Sequence, residues 1–192
     1  MLMKALLLQR AIVCILSLVI LCGLSGCVTV RNKVTTFHDG GISTGSIAIA
    51  PAPGIPDGAE FRTYAAILQR GLDQKGFTPA WNDHPDYLGL LSYGIASGGT
   101  YTSLRTTYGP GWYGRGRLGV NGISATSYRY FSRVLQLSIV NKLNDQEIWK
   151  GRVTSTGMSG EINRVLPTMV TALLRDFPGT SGVTRSITLP LQ

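Results

Sequence analysis

Residues 131–156, FSRVLQLSIVNKLNDQEIWKGRVTST, are the stretch from which the fold can be read. Leu135, Leu137 and Ile139 alternate with Gln136, Ser138 and Val140, the period of two expected of a strand. Asn144 and Asp145 supply a turn, and beyond it Trp149 and Val153 share a face with Gly151 between them. Two such runs around a short turn predict a hairpin. A hairpin with one apolar face needs a covering layer.

That layer is predicted on both sides of the hairpin in sequence. After Ser159, the residues Ile162, Val165, Leu166, Met169, Val170, Leu173, Leu174 and Phe177 recur at i, i+3, i+4 and i+7, the stripe of an amphipathic helix. Pro167 fits only in its first turn or at a kink. Upstream, Asp57 and Glu60 stand three apart like a capping box, and Phe61, Tyr64, Ala65, Leu68 and Leu72 form a second stripe. Gly76 stands where a left-handed C-cap is wanted. Short strands are expected at SIAIAP (46–51), FTPAW (77–81) and DYLGLLSYGIAS (86–97).

The fold class that follows is α+β, a curved mixed or antiparallel sheet of four to six strands with two helices packed on one face. One domain is expected over residues 46–178, preceded by a tether at 27–45 that enters a strand at its start. Residues 179–192 are read as a tail or edge strand.

From Ala11 to Leu24 only Ser17 and Gly23 interrupt apolar side chains, which falls short of the roughly 20 residues that cross a bilayer. Lys4 and Arg10 precede the run with no acid, and small residues follow it, so residues 1–26 read as a signal peptide. The ending Leu24-Ser25-Gly26-Cys27 resembles the lipobox of bacterial lipoproteins. The resemblance implies that Cys27 becomes the first residue, acylated on sulfur and amine, and two or more acyl chains give stable membrane anchoring. Val28 in place of an aspartate after the cysteine implies sorting to the outer membrane, with the periplasmic face as the expected location. Cys14 and Cys22 lie in the removed segment, so no thiol is left for a disulfide or a metal site.

Without Lys4 and Arg10 the 18 basic side chains become 16 against 10 acidic ones, a net charge near +6. Such a surface suits anionic lipid, lipopolysaccharide or peptidoglycan, and an envelope protein is a further candidate partner. Export removes nucleic acid from the expected partners.

The order of lipobox, SIAIAP, a helix ending QKGF, DYLGLLSY, a hairpin containing NDQEIWKG and a last helix closing in LLRDFP resembles a family of bacterial lipoproteins, domain of unknown function 4136. The likeness spans about residues 46–178. That family in turn resembles the small α+β domain at the front of the periplasmic protein TolB, and neither resemblance implies a catalytic residue.

A segment at about 98–131 departs from the pattern, being rich in Gly, Tyr and Arg and free of acids: none occurs between Asp86 and Asp145. Arg105, Tyr108, Trp112, Tyr113, Arg115, Arg117, Arg129 and Tyr130 are the candidate residues for binding an anion or a partner. Guanidinium groups grip phosphate and carboxylate bidentately, while Tyr and Trp suit interfaces. The bland alternative is a solvated β-hairpin whose arginines keep it soluble.

Within this segment residues 109–114 match GxGxxG formally, but Pro110 and Trp112 crowd the turn and no helix follows, so a dinucleotide site is not expected. His38 and His84 lack the spacing of metal ligands, and no cofactor or metal is expected. A non-enzymatic envelope lipoprotein is therefore the leading expectation. A hydrolase acting on envelope glycan or lipid, with paired acids brought together only in space, is the alternative.

Overall fold

The computed structural model describes residues 28–80, 84–96, 98–110 and 118–191. Along the chain these form β1 (Thr29–His38), β2 (Ser46–Pro51), α1 (Ala59–Asp73), β3 (Thr78–Pro79), β4 (Tyr87–Ala96), β5 (Thr100–Pro110), β6 (Leu118–Arg129), β7 (Phe131–Asn141), β8 (Gln146–Gly157), α2 (Leu166–Leu174) and β9 (Thr184–Pro190). The main sheet runs β3-β2-β4-β7-β8-β1-β9, and β5 and β6 form a separate two-stranded sheet. β2 is parallel to β3 and β4, and the remaining neighbours in the main sheet are antiparallel.

The α+β class holds, but the main sheet has seven strands where four to six were expected. The additions lie beyond β8, in the order β8-β1-β9. Residues 29–38, read as part of a tether, pair with β8 on one side and with β9 on the other. The inward positions of β1 are Val30, Asn32, Val34 and Thr36. Two of these four are polar, so the apolar alternation that marks a half-buried strand is absent from the sequence.

The β7–β8 hairpin forms the centre of the sheet. Leu135, Leu137, Ile139, Trp149 and Val153 are each 0% exposed, and each fully buried side chain of this size is worth about 1.5–3 kcal/mol. Both helices lie on that face. Helix α1 buries Phe61, Tyr64, Leu68 and Leu72, and α2 buries Leu166, Met169, Val170, Leu173 and Leu174. Gly151 lets α2 come close, because a Cβ there would meet the Trp149 ring and lie 2.6 Å from Leu173 Cδ1. Trp149 is locked further by its indole Nε1–H, which donates to Pro178 O at 3.0 Å.

Helix boundaries show where local chemistry acted differently. Helix α1 begins after Gly58 without a side-chain cap, so the expected capping box does not form; Asp57 instead faces Arg62 at 3.6 Å. Gly76 has φ +92°, the left-handed conformation that glycine adopts without a steric penalty. Helix α2 starts at Leu166 with Pro167 in its first turn, where a missing N–H costs nothing.

The start of β2 is tied to the start of β4 by one carboxylate. Asp86 Oδ2 accepts from Ser46 N at 2.8 Å and from Ser46 Oγ at 2.7 Å. The backbone bond and then the hydroxyl hold the Asp86 carboxyl below the usual carboxylate range. A lowered folded-state pKa stabilises above the unfolded value, roughly 3.9, and that stability is lost as pH falls through the folded value. Asp86→Asn is therefore expected to lower the melting temperature at pH 7 and to converge on the parent near pH 2. Melting curves at the two pH values check this, and an equal deficit at both would oppose it.

Candidate functional site

Strand β4 ends and β7 begins at one end of the sheet, with Ala96 opposite Ser132. The chain between them leaves the body there and folds back on itself, Thr100 opposite Arg129 and Leu104 opposite Ala125, with a register shift between Thr107 and Tyr108. Tyr130 N donates to Gly99 O at 2.9 Å and closes the root. Strand β8 finishes beside it, since Gly157 faces Phe131. Strand β1 begins at the same end, because Asn32 faces Ser155 and the pair is antiparallel. The hairpin and residue 28 therefore emerge together.

Period two divides the hairpin into two faces. Tyr101 with Tyr128, Ser103 with Thr126 and Arg105 with Ser124 lie on one. Thr102 with Ser127, Leu104 with Ala125, and Ile123 lie on the other, together with Arg129. Tyr101, Leu104 and Ile123 are 65%, 69% and 68% exposed, so the body of the protein does not cover either face.

The candidate residues are thus only partly brought together. Arg105 shares a face with the Tyr101–Tyr128 pair, Arg129 lies on the opposite face, and Tyr130 packs over Gly99 at the root. Tyr108 is paired with Val120 in the β5–β6 ladder. Cys27, Trp112, Tyr113, Arg115 and Arg117 lie outside the described residues.

Sequence reading missed Arg133. It is not among the candidate residues, yet it lies in β7, is 4% exposed and faces the helix-covered side of the sheet. The signal was available: Arg133 is two residues before Leu135, on the inward parity of that strand. It lines a cavity of about 220 Å³ at the hairpin end of the sheet, with Val28, Arg31, Met158, Glu161 and Arg164 also in the wall.

Other features bear on catalysis. Asp39 and Glu147 line one pocket of about 290 Å³ at the far end of the sheet, and Lys150 Nζ holds Glu147 at 3.1 Å. Both ring nitrogens of His38 face carbonyl oxygens, those of Gly40 and Gly179. No described helix is long and apolar enough to cross a membrane.

With this geometry in hand, a family model described as a domain of unknown function (DUF4136) matches residues 50–179, from β2 to the turn after α2. The chain belongs to this family. The family segment runs from the last residues of β2 through α1, β3, β4, the central hairpin and α2, while β1 and β9 flank it.

Among solved structures, a PDZ domain protein from Parabacteroides distasonis ATCC 8503 is similar at TM-score 0.50 and 11% identity over 86% of this chain. The chain spans 40% of the length of that protein, and the likeness is one of fold. The PelC dodecamer from Paraburkholderia phytofirmans, in two crystal forms, is similar at TM-score 0.40 and 15% identity, covering 74% of this chain and 94% of that one. Comparison with curated protein sequences returned no match.

Proposed function

We propose that this member of the DUF4136 family is a lipid-anchored, non-enzymatic protein of the cell envelope that lays its projecting hairpin on an anionic membrane surface, at the periplasmic face of the outer membrane. The observation that carries the reading is the common origin of the hairpin and residue 28 at one end of the sheet. A chain acylated at Cys27 holds that end against the bilayer, so the hairpin is the part delivered to the headgroups.

The chemistry of the hairpin supports the same reading. A two-stranded hairpin standing alone is marginally stable in water, and a surface that covers one face removes the deficit. Its outer edges leave backbone N–H and C=O groups unpaired in the two-stranded sheet. Those groups need water, which keeps the hairpin at headgroup depth and out of the hydrocarbon. Tyr side chains favour that zone, and arginines there attract anionic lipid at about 1 kcal/mol each.

Replacing Arg105 and Arg129 together by Gln is expected to remove about 2 kcal/mol of attraction, roughly a 30-fold loss of binding to vesicles containing phosphatidylglycerol at low salt. Melting temperature should be unchanged, because neither side chain touches the core. Binding to neutral vesicles, measured by co-sedimentation, is the control. Parental binding by the double variant at low salt would overturn the proposal.

A further inference from the structure

Arg133 of β7 is in register with Ser155 of β8, which is in register with Asn32 of β1. A row of buried polar residues thus crosses the helix-covered side of the sheet near its hairpin end, with Ser155 and Asn32 both 0% exposed. The guanidinium has weak protein partners: Nε donates to Ser155 O at 3.5 Å and Nη2 to Ser155 Oγ at 3.4 Å, both at the outer limit of a hydrogen bond. Among the described residues no carboxylate pairs with it. Burial pushes its pKa down, the sign of a cation stripped of water without a compensating charge.

Protein interiors rarely hold a guanidinium in that condition, because its five donors and its charge each need a partner. Here the guanidinium forms part of the wall of the 220 Å³ cavity, whose lining also includes Arg31 and Arg164. Glu161, the one carboxylate in the wall, lies 4.0 Å from Arg164. Three guanidinium groups against one carboxylate leave two positive charges in excess. Gly157 keeps the strand bare beneath the site, since a Cβ there would lie 2.5 Å from Arg133 Nη2.

We propose that this cavity is an oxyanion site that takes a phosphate group, with Arg133 as the buried fork and Arg31 and Arg164 at the rim. The excess of two positive charges matches a phosphate better than a carboxylate. Val28 in the wall sets the cavity one residue from Cys27, so a lipid headgroup can supply the group, and soluble phosphate offers the same chemistry. The site stands apart from the hairpin reading and survives its failure.

The test uses the full chain in a non-ionic detergent, melted with increasing inorganic phosphate against chloride at equal ionic strength. A parallel series replaces phosphate by phosphatidylglycerol in the micelles. The parent is expected to gain about 5–10 °C at a hundredfold excess over the dissociation constant. Response to inorganic phosphate identifies a soluble ligand, and response to the lipid alone identifies a headgroup. Arg133→Met is expected to melt higher than the parent without ligand, because it removes a lone buried charge, and to lose the response. Should that variant fold poorly, Gly157→Ala displaces the guanidinium and is expected to weaken the response on an intact sheet. A parent indifferent to both ligands, or a phosphate response that Arg133→Met and Gly157→Ala leave unchanged, overturns the proposal.

Discussion

Leu173→Asp is expected to abolish the folded domain. Leu173 is 2% exposed and sits against the bare backbone of Gly151, with Trp149 alongside. Truncation of a buried leucine alone costs about 2–5 kcal/mol. An unpaired carboxylate in the same place adds several more, and the total matches the roughly 5–15 kcal/mol that holds a whole domain together. Leu173→Met, which keeps volume and apolarity, should cost less than about 1.5 kcal/mol. Circular dichroism melts of both variants beside the parent give the answer. A cooperative Leu173→Asp transition within a few degrees of the parent would contradict the packing of α2 on β8.

The second large effect concerns the anchor. If Cys27 carries the acyl chains, Cys27→Ala should eliminate incorporation of an alkyne fatty acid and leave an unprocessed or differently cleaved product. Each buried CH₂ contributes about 0.8 kcal/mol to membrane binding, so losing two or more chains removes nearly all of the attachment. What remains is the salt-sensitive attraction of the basic surface, which washing at high ionic strength should release. Persistent labelling of the variant would rule out the lipobox reading.

Much of the architecture was legible because it is written in local periodicity. SIAIAP coincides with β2, and the alternation of residues 135–139 marks the face that α1 and α2 cover. The i, i+3, i+4 stripes locate both helices, with α2 shorter than its stripe: Ile162 and Val165 are buried in the turn that leads into it. A single turn, closed by Val165 N and Leu166 N on Ile162 O, buries them before the regular helix begins, which is why an apolar stripe overestimates helix length.

The proposed site was harder to read. Arg105 and Arg129 stand in one acid-free segment of the sequence, yet the register Thr100 opposite Arg129 puts them on different faces of the hairpin. A slip of one residue would have united them, and only the pairing decides. Arg133 belongs to the same arginine-rich run but is drawn into the core by the parity of β7. Charge composition could not separate these cases, because it carries no information about which way a side chain points.

Residues alone determined the two helical stripes, the central hairpin and the α+β class, all of which rest on patterns spanning fewer than about 20 neighbouring residues. Tertiary structure decided the rest. Strand β1 pairs with β9 across most of the chain, as in Thr35 Oγ1 to Thr184 Oγ1 at 2.7 Å and 149 residues apart. Such a pairing is driven by backbone N–H and C=O groups that any sequence possesses, and it closes the edge that β1 would otherwise expose beyond β8. Asn32 and Thr36 could be buried there because a strand on each side satisfied the backbone around them, so the seventh strand and the row from Arg133 to Asn32 exist only in the assembled sheet.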